Sequence, residues 1–342
     1  MKKRPTIVDV ARAAGVSTAA ISYYLNGKEG VGAETKERIE SAIGALGYVP
    51  DLSARSLANR RSRLIGVVIP QLEPGSRLVF SNPFYASLLS GIEHEARGRG
   101  FHVIVSGVSA DGSYLELARR RNLEGIIIIG MHPDAFYDEL RASQIPIVLV
   151  DSICGEHDFD DVAIDDRAGG RLATGYLLER GHRRVAIALG SVASGGVHAE
   201  RLAGYRDALE AARMPFDPAL VLEGPVAFDG GLEAADRALA TLGRSGAVFA
   251  AADIIAVGFI KGLFLRGVRV PEDYSIVGFD DLDVARWTTP GLTTVRQDIL
   301  EKGSTAVRLV AERIDGEGGV KRRIELPIGI AERESVRDLR AR

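Results

Sequence analysis

The sequence predicts an N-terminal all-α helix-turn-helix bundle followed by a two-lobed α/β core with parallel sheets. Three observations predict it. Residues 6–50 carry apolar side chains at helical spacing, broken at Gly15 and again at Asn26-Gly27. From Leu64 onward, apolar runs of strand length alternate with helical stretches, as strands buried on both faces of a parallel sheet do. That alternation restarts after a break at Ser152–Asp161, so the α/β unit occurs twice.

The stretch Thr6–Asn26, TIVDVARAAGVSTAAISYYLN, reads as two short helices joined by a turn. Thr6 is placed to cap the first, with Asp9 completing a variant of the capping box. Val10, Ala11 and Ala14 repeat at helical spacing, Gly15 supplies the turn, and Ser17 caps the second helix. Ile21 and Leu25 form its inward stripe. Thr18, Ala19, Ser22, Tyr23 and Asn26 then face outward, small or neutral side chains suited to close approach to base edges in a major groove. A two-helix corner of an ordinary α-helical domain would look the same at this level. Glu34–Leu46 is a third helix, with Ile39, Ile43 and Leu46 on one face, Gly47 after its end and Pro50 preventing continuation.

Residues 51–63, DLSARSLANRRSR, form a short basic linker in which Leu52, Ala54, Leu57 and Ala58 can line one face of a brief helix. A helix this short is marginal in water, so it is expected to fold only when held, by DNA and a second copy of itself.

In the core, LIGVVIP, HVIVSGV, GIIIIG and PIVLVD make the first set of strands, and VAIALG, AVFAAAD and YSIVGFDD the second. Helices are expected at Pro83–Arg99, Asp134–Ala142, Asp166–Arg180, Ala199–Arg213 and Asp253–Gly267. The expected domains are 1–50, 51–63 and 64–342. Within the last, one lobe spans about 64–163 and 294–323 and the other about 164–293 and 324–342. The chain is expected to cross between them after Asp151, near Leu292–Gln297 and near Ile324–Pro327. Open α/β sheets bind ligands beyond the carboxyl ends of their strands. That rule selects Phe84, Tyr85, Asp151, Arg201, Asp253, Asp280 and Gln297 as candidate ligand groups.

Composition narrows the class. The 342 residues are 46% hydrophobic and 26% charged, ordinary for a globular protein, with no apolar run of membrane-spanning length. The N-terminus, MKKRPTIVDV, lacks the apolar segment of a signal peptide, so a cytoplasmic location is expected and no membrane partner. A single cysteine, Cys154, excludes an internal disulfide, and Cys154 with His157 lacks a second ligand pair, so neither metal nor cofactor is expected. Net charge is −3, but 11 basic residues face 6 acidic ones through Arg63, and 32 face 40 beyond it. A basic head on an acidic body suits phosphate binding at one end.

The fragments T-I-x-D-V-A-x-x-A-G-V-S at Thr6–Ser17, S-x-x-L-N-G at Ser22–Gly27, L-G-Y-x-P at Leu46–Pro50 and A-R-S-L at Ala54–Leu57 recur in order with others along the core. Those are N-P-F at Asn82–Phe84, L-x-x-R-G-H-R-R at Leu177–Arg184, R-L-A-G-Y at Arg201–Tyr205, G-F-D-D at Gly278–Asp281, L-T-T-V-R-Q at Leu292–Gln297 and R-E-S at Arg333–Ser335. Over nearly its whole length the chain resembles the LacI/GalR family of bacterial transcription regulators.

The resemblance implies a periplasmic-binding-protein-like core and a ligand-responsive regulator, most simply a repressor, that binds a palindromic double-stranded operator as a homodimer. It implies DNA contacts from Thr6, Ser17, Thr18, Ala19, Ser22, Tyr23, Asn26, Ala54, Arg55 and Leu57. Leu57 would wedge into the central minor groove, where an apolar side chain unstacks a base step; the alternative is a packing residue of a linker helix. Phe84, Tyr85, Asp151, Arg201, Phe228, Asp253, Asp280 and Gln297 match effector-cleft positions, which implies a small polar effector such as a sugar or sugar derivative. Against this, Asp280 could cap the next segment and Arg201 could form an internal salt bridge. The chain departs from the family at Ala252, often Asn or Ser in relatives, at Tyr23, commonly Arg, and at the longer segment Gln71–Ser81. An enzyme on this fold is disfavoured because the sequence has no P-loop, no G-x-G-x-x-G after its first strand and no G-x-S-x-G elbow. A solute-binding protein is disfavoured by the missing signal peptide and the basic head.

Overall fold

The computed structural model describes residues 5–25, 30–48, 62–70, 82–108, 114–132, 134–152, 158–193 and 195–340. The chain divides into two compact units, Met1–Ser62 and Arg63–Arg342.

The first unit contains α1 (Ile7–Ala14), α2 (Thr18–Leu25) and α3 (Ala33–Leu46). Thr6 caps α1: its hydroxyl accepts the Asp9 backbone N–H at 3.4 Å, and the Asp9 carboxylate accepts the Thr6 N–H at 2.9 Å. Gly15 ends the helix at φ 66°, a left-handed conformation that costs glycine nothing. Ser17 starts α2 by accepting the Ala20 N–H at 3.2 Å. Val10, Ala11, Ala14, Ile21, Ile39 and Ala42 form the buried core of this unit. Leu46, expected on the inner face of α3, is instead 37% exposed. Ile43 before it and Tyr48 after it pack against the core of this unit.

The second unit holds two six-stranded sheets. The first is built from β1 (Leu64–Pro70), β2 (His102–Val108), β3 (Gly125–Ile129), β4 (Ile147–Val150), β5 (Asp160–Ala163) and β11 (Arg323–Glu325) in the order β11-β5-β4-β3-β1-β2, every pair parallel. One face is covered by α4 (Pro83–Gly98) and α12 (Ile299–Ile314), the other by α5 (Tyr114–Arg121) and α6 (Asp134–Arg141). The second sheet contains β6 (Val185–Leu189), β7 (Val221–Glu223), β8 (Gly246–Ala250), β9 (Tyr274–Asp280), β10 (Thr293–Gln297) and β12 (Ile328–Ala331), ordered β12-β10-β9-β8-β6-β7. Only β12 runs antiparallel. Helices α7 (Asp166–Glu179) and α8 (Val197–Ala211) cover one face, and α9 (Phe228–Leu242) and α10 (Asp253–Leu265) the other. The short α11 (Asp283–Trp287) follows β9. No helix among the described residues is long and apolar enough to cross a membrane.

Strand pairings set the lobe boundaries. Strand β5 pairs in the first sheet, so the first lobe runs through Ala163 before the chain crosses. Strand β10 pairs with β9, which keeps the chain in the second lobe through Gln297 instead of releasing it at residue 294. Strand β11 pairs with β5, which places residues 323–325 in the first lobe.

Candidate functional site

Two glycines set the geometry of the second lobe's contribution. A Cβ on Gly170 of α7 would lie 2.2 Å from the Arg201 carbonyl oxygen, and one on Gly204 of α8 would lie 1.9 Å from that of Arg167. Only glycine permits this approach, so the two helices touch backbone to backbone and Arg201 reaches Asp166. Arg201 Nε stands 2.8 Å and Nη2 2.7 Å from Asp166 Oδ1, while Nη1 donates to the Ala251 carbonyl at 2.7 Å. The guanidinium lies 3.6 Å over the Phe279 ring, and both charged residues are buried. The internal salt bridge weighed from sequence is therefore present; hydrogens of Arg201's rigid donor fork remain beyond these contacts.

The first lobe meets this cluster through a chain of hydrogen bonds. Asp151 follows β4 at φ 53°. Lys302, in the first turn of α12, is fully buried, and its Nζ donates at 2.6 Å to Asp151 Oδ1 and at 2.6 Å to Gln297 Oε1. Gln297, the last residue of β10, donates through Nε2 to Asp280 Oδ1 at 2.7 Å. Asp280, the last residue of β9, has φ 120° and Asp281 φ 57°. Positive φ at three aspartates at or just beyond strand ends is the kind of strain that functional sites retain.

These groups perturb one another. Burial pushes the Asp280 carboxyl up to about 6, against the pull of Arg201, the Gln297 hydrogen bond and Lys302. Tyr85 is pushed up to about 12 by burial and then by the charges of Asp151 and Asp280, so its phenol is a neutral O–H at physiological pH. Asn82 caps α4 by accepting the Phe84 N–H at 3.0 Å, which fixes the aromatic pair at the start of the helix. Phe84 and Tyr85 meet edge to face at 5.4 Å, and Lys302 Nζ lies 5.9 Å from the Phe84 ring.

The structure thus brings Phe84, Tyr85, Asp151, Asp280 and Gln297 together at the strand ends, with Arg201 beside them. Asp253 departs from its expected role. It is wholly buried, Oδ1 accepts the Thr294 hydroxyl at 2.7 Å and Oδ2 accepts the Leu282 N–H at 2.8 Å. Both oxygens are engaged inside the lobe, so Asp253 ties α10 to the ends of β9 and β10 rather than facing a ligand. Phe228 stands at the first residue of α9 with its surface 37% exposed, at the carboxyl-end rim of the second sheet.

Sequence reasoning missed Lys302 and Asp166. Lys302 lies among Ile299, Gly303, Ala306 and Val310 on the buried side of α12, and a lone cation on that stripe was its signal. Asp165 caps α7 by accepting the Ala168 N–H at 2.7 Å, which leaves its neighbour Asp166 to turn inward.

In the first unit Thr18, Ala19 and Tyr23 are exposed on α2 and Ser22 is half-buried, the outward face the periodicity predicted. Thr6 and Ser17 hold the helix ends as caps and are exposed. Asn26, Ala54, Arg55 and Leu57 lie outside the described residues, as do Cys154, His157 and the segment 71–81.

Residues 6–51 match the bacterial regulatory proteins of the lacI family, and residues 174–336 match the periplasmic binding protein-like domain. The chain is 35% identical to the HTH-type transcriptional regulator CelR of Thermobifida fusca, over 98% of this chain and 99% of that one. It is 32% identical to the HTH-type transcriptional repressor PurR of Vibrio atlanticus over 98% of this chain and 99% of its relative. Among solved structures, a lac repressor dimer bound to operator and the anti-inducer ONPF matches with a TM-score of 0.84 at 27% identity, covering 98% of this chain and all of that one. A CelR–cellobiose complex matches with a TM-score of 0.71 at 33% identity, covering 97% and 100%. Helix-turn-helix head, doubly wound two-lobed core and full-length similarity agree: the chain belongs to the LacI family of bacterial transcription regulators.

Proposed function

We propose that this regulator binds a palindromic operator as a homodimer and alters its hold when a small polar effector, a sugar or sugar derivative, enters between the two lobes. The observation that carries the reading is the chain Asp151–Lys302–Gln297–Asp280. It joins both lobes through buried charged and polar groups at the carboxyl ends of both sheets, where α/β folds bind ligands.

In this reading Asp280 and Asp151 accept hydroxyl protons, Arg201 and Gln297 donate, and Phe84, Tyr85 and Phe228 pack on the ligand. The named relatives support the ligand class: one matched structure holds cellobiose and another, from Enterococcus faecium, holds ribose. Thr18, Ala19, Ser22 and Tyr23 read the major groove, with Thr6, Ser17 and Asn26 beside them. Ala54, Arg55 and Leu57 engage the minor groove at the operator centre. Such a regulator works where its DNA is, in the bacterial cytoplasm.

The test is a stoichiometry. Light scattering of the protein with its selected duplex should give two chains per duplex. A monomer at micromolar concentration that binds the duplex with full affinity refutes the dimeric reading.

A further inference from the structure

The first sheet has a basic edge around the point where the chain enters the core. Arg63 is the first residue of the second unit and ties together the starts of three strands. The Arg63 N–H donates to Glu124 Oε1 at 2.6 Å, just before β3, and the Arg63 carbonyl accepts the His102 N–H at 2.8 Å, at the start of β2. The Glu124 N–H donates to the Leu64 carbonyl at 2.9 Å, at the start of β1. The Arg63 guanidinium lies 5.4 Å over the Phe101 ring. Two helices on opposite faces of the sheet end at this edge, α4 leading into β2 and α5 into β3. Arg97 and Arg99 stand at the end of the first, and Arg119, Arg120 and Arg121 at the end of the second.

The acidic residues of the same segments leave two of these charges uncompensated. Arg97 is bridged to Glu93, Arg99 to Glu95 and Arg120 to Glu116, each partner lying one turn back from the edge. Glu124 offsets Arg63. Arg119 and Arg121 are exposed and have no acidic partner among the described residues. This excess stands on a body that is otherwise acidic, with 32 basic residues against 40 acidic ones beyond Arg63. It continues the charge of the linker, where Arg55, Arg60 and Arg61 precede Arg63 and Asp51 is the one acidic residue.

Chain length keeps this edge near DNA. With Leu57 at the operator centre, the six residues from it to Arg63 span at most about 21 Å. That is about six base pairs along a duplex.

We propose that the core itself holds the operator, through Arg119 and Arg121 on the phosphate backbone. The proposal rests on the operator reading above and adds a second contact surface to the head and linker. Arginine binds phosphate oxygens through charge-assisted hydrogen bonds, and such contacts carry no sequence information. Because both arginines belong to a lobe of the effector core, they give that core a hold on DNA that does not pass through the linker.

The experiment titrates full-length wild type and Arg119→Gln/Arg121→Gln with the duplex that the wild type selects from a random pool, between about 50 and 200 mM salt. Each phosphate neutralised contributes about 0.9 to the slope of log affinity against log salt, and a dimer brings these two arginines twice. The slope should therefore fall by about 2–4 in the variant. Affinity for a duplex without the site should fall in step, so the preference for the selected duplex stays as it was. Arg119→Lys/Arg121→Lys, which keeps both charges, should keep the wild-type slope. Arg183→Gln/Arg213→Gln removes the same charge from exposed positions of the second lobe and should leave the slope unchanged. A slope that moves by less than about 1, or an equal fall in the second-lobe control, overturns the proposal and leaves the operator reading standing. Arginines that only close their helix would lower the melting temperature of the variant at an unchanged slope, which is the same refutation. A wild type that selects no duplex fails the operator reading, and this proposal with it.

Discussion

Replacing Asp280 with Asn should make the ligand-free protein more stable at neutral pH. Asp280 is buried with one polar partner among the described residues, the Gln297 amide at 2.7 Å, and its carboxyl is pushed from 3.8 up to about 6. In the unfolded chain the proton leaves near 3.8 and in the folded chain near 6, so between those values the folded state holds more protons. Stability therefore falls as pH rises through that window, by up to about 1.4 kcal/mol per pH unit, and the loss is complete above it. The gap corresponds to about 3 kcal/mol at pH 7.5 and about 1 kcal/mol at pH 4.5. Asn has no proton to lose, tolerates positive φ, and still offers an oxygen to Gln297. Urea denaturation of the effector core across pH 4.5–7.5 should show the variant ahead by about 3 kcal/mol at the upper end, with the lead shrinking as pH falls. A variant no more stable than wild type at pH 7.5, or a lead independent of pH, refutes the assignment of Asp280 as a carboxylate held in the site at a cost to the fold.

Three further outcomes follow from the same geometry. Gly170→Ala should destabilise the core by about 1–3 kcal/mol through overpacking and weaken effector binding, because the added Cβ pushes on the backbone of Arg201; denaturation and calorimetry check both. Asp166→Ala should cost about 3–5 kcal/mol, since it leaves the Arg201 guanidinium buried without its carboxylate, and chemical denaturation measures it. Operator affinity should fall steeply between about 50 and 200 mM salt, while Thr18 or Ala19 variants change the preferred sequence in a random-duplex selection and keep the salt slope.

What the sequence revealed depended on how local each signal was. The caps at Thr6, Ser17 and Gly15 act over three or four residues, so the helix-turn-helix could be read almost residue by residue. The central strands are runs of buried Val and Ile and were equally plain. Strand β5 is not: it reads DDVA, and its buried Asp160 is held by Arg313, 153 residues later, through both carboxylate oxygens and by the Arg322 N–H. Strand β10, TTVRQ, carries polar residues whose partners lie on other strands, so its lobe could not be decided from its own composition. In the site, strand-end aspartates were visible by position, but their partners were not. Lys302 reaches Asp151 across 151 residues, and Asp166 reaches Arg201 across 35. Asp253 was misplaced for the same reason: its position at a strand end is that of a ligand group, and only the Thr294 and Leu282 contacts show that its oxygens are taken.

The central claim is that a site between the lobes controls the reading head. The most direct measurement is a titration of operator binding with the identified effector, for wild type and for Asp280→Asn. Coupling of this kind is typically about 1–3 kcal/mol, and it must be reciprocal. Wild-type operator affinity should change about 5- to 150-fold on saturation, and operator should change effector affinity by the same factor. Asp280→Asn should bind operator as wild type does without effector and fail to respond to it. A variant that responds with the wild-type midpoint contradicts the account and places the effector elsewhere.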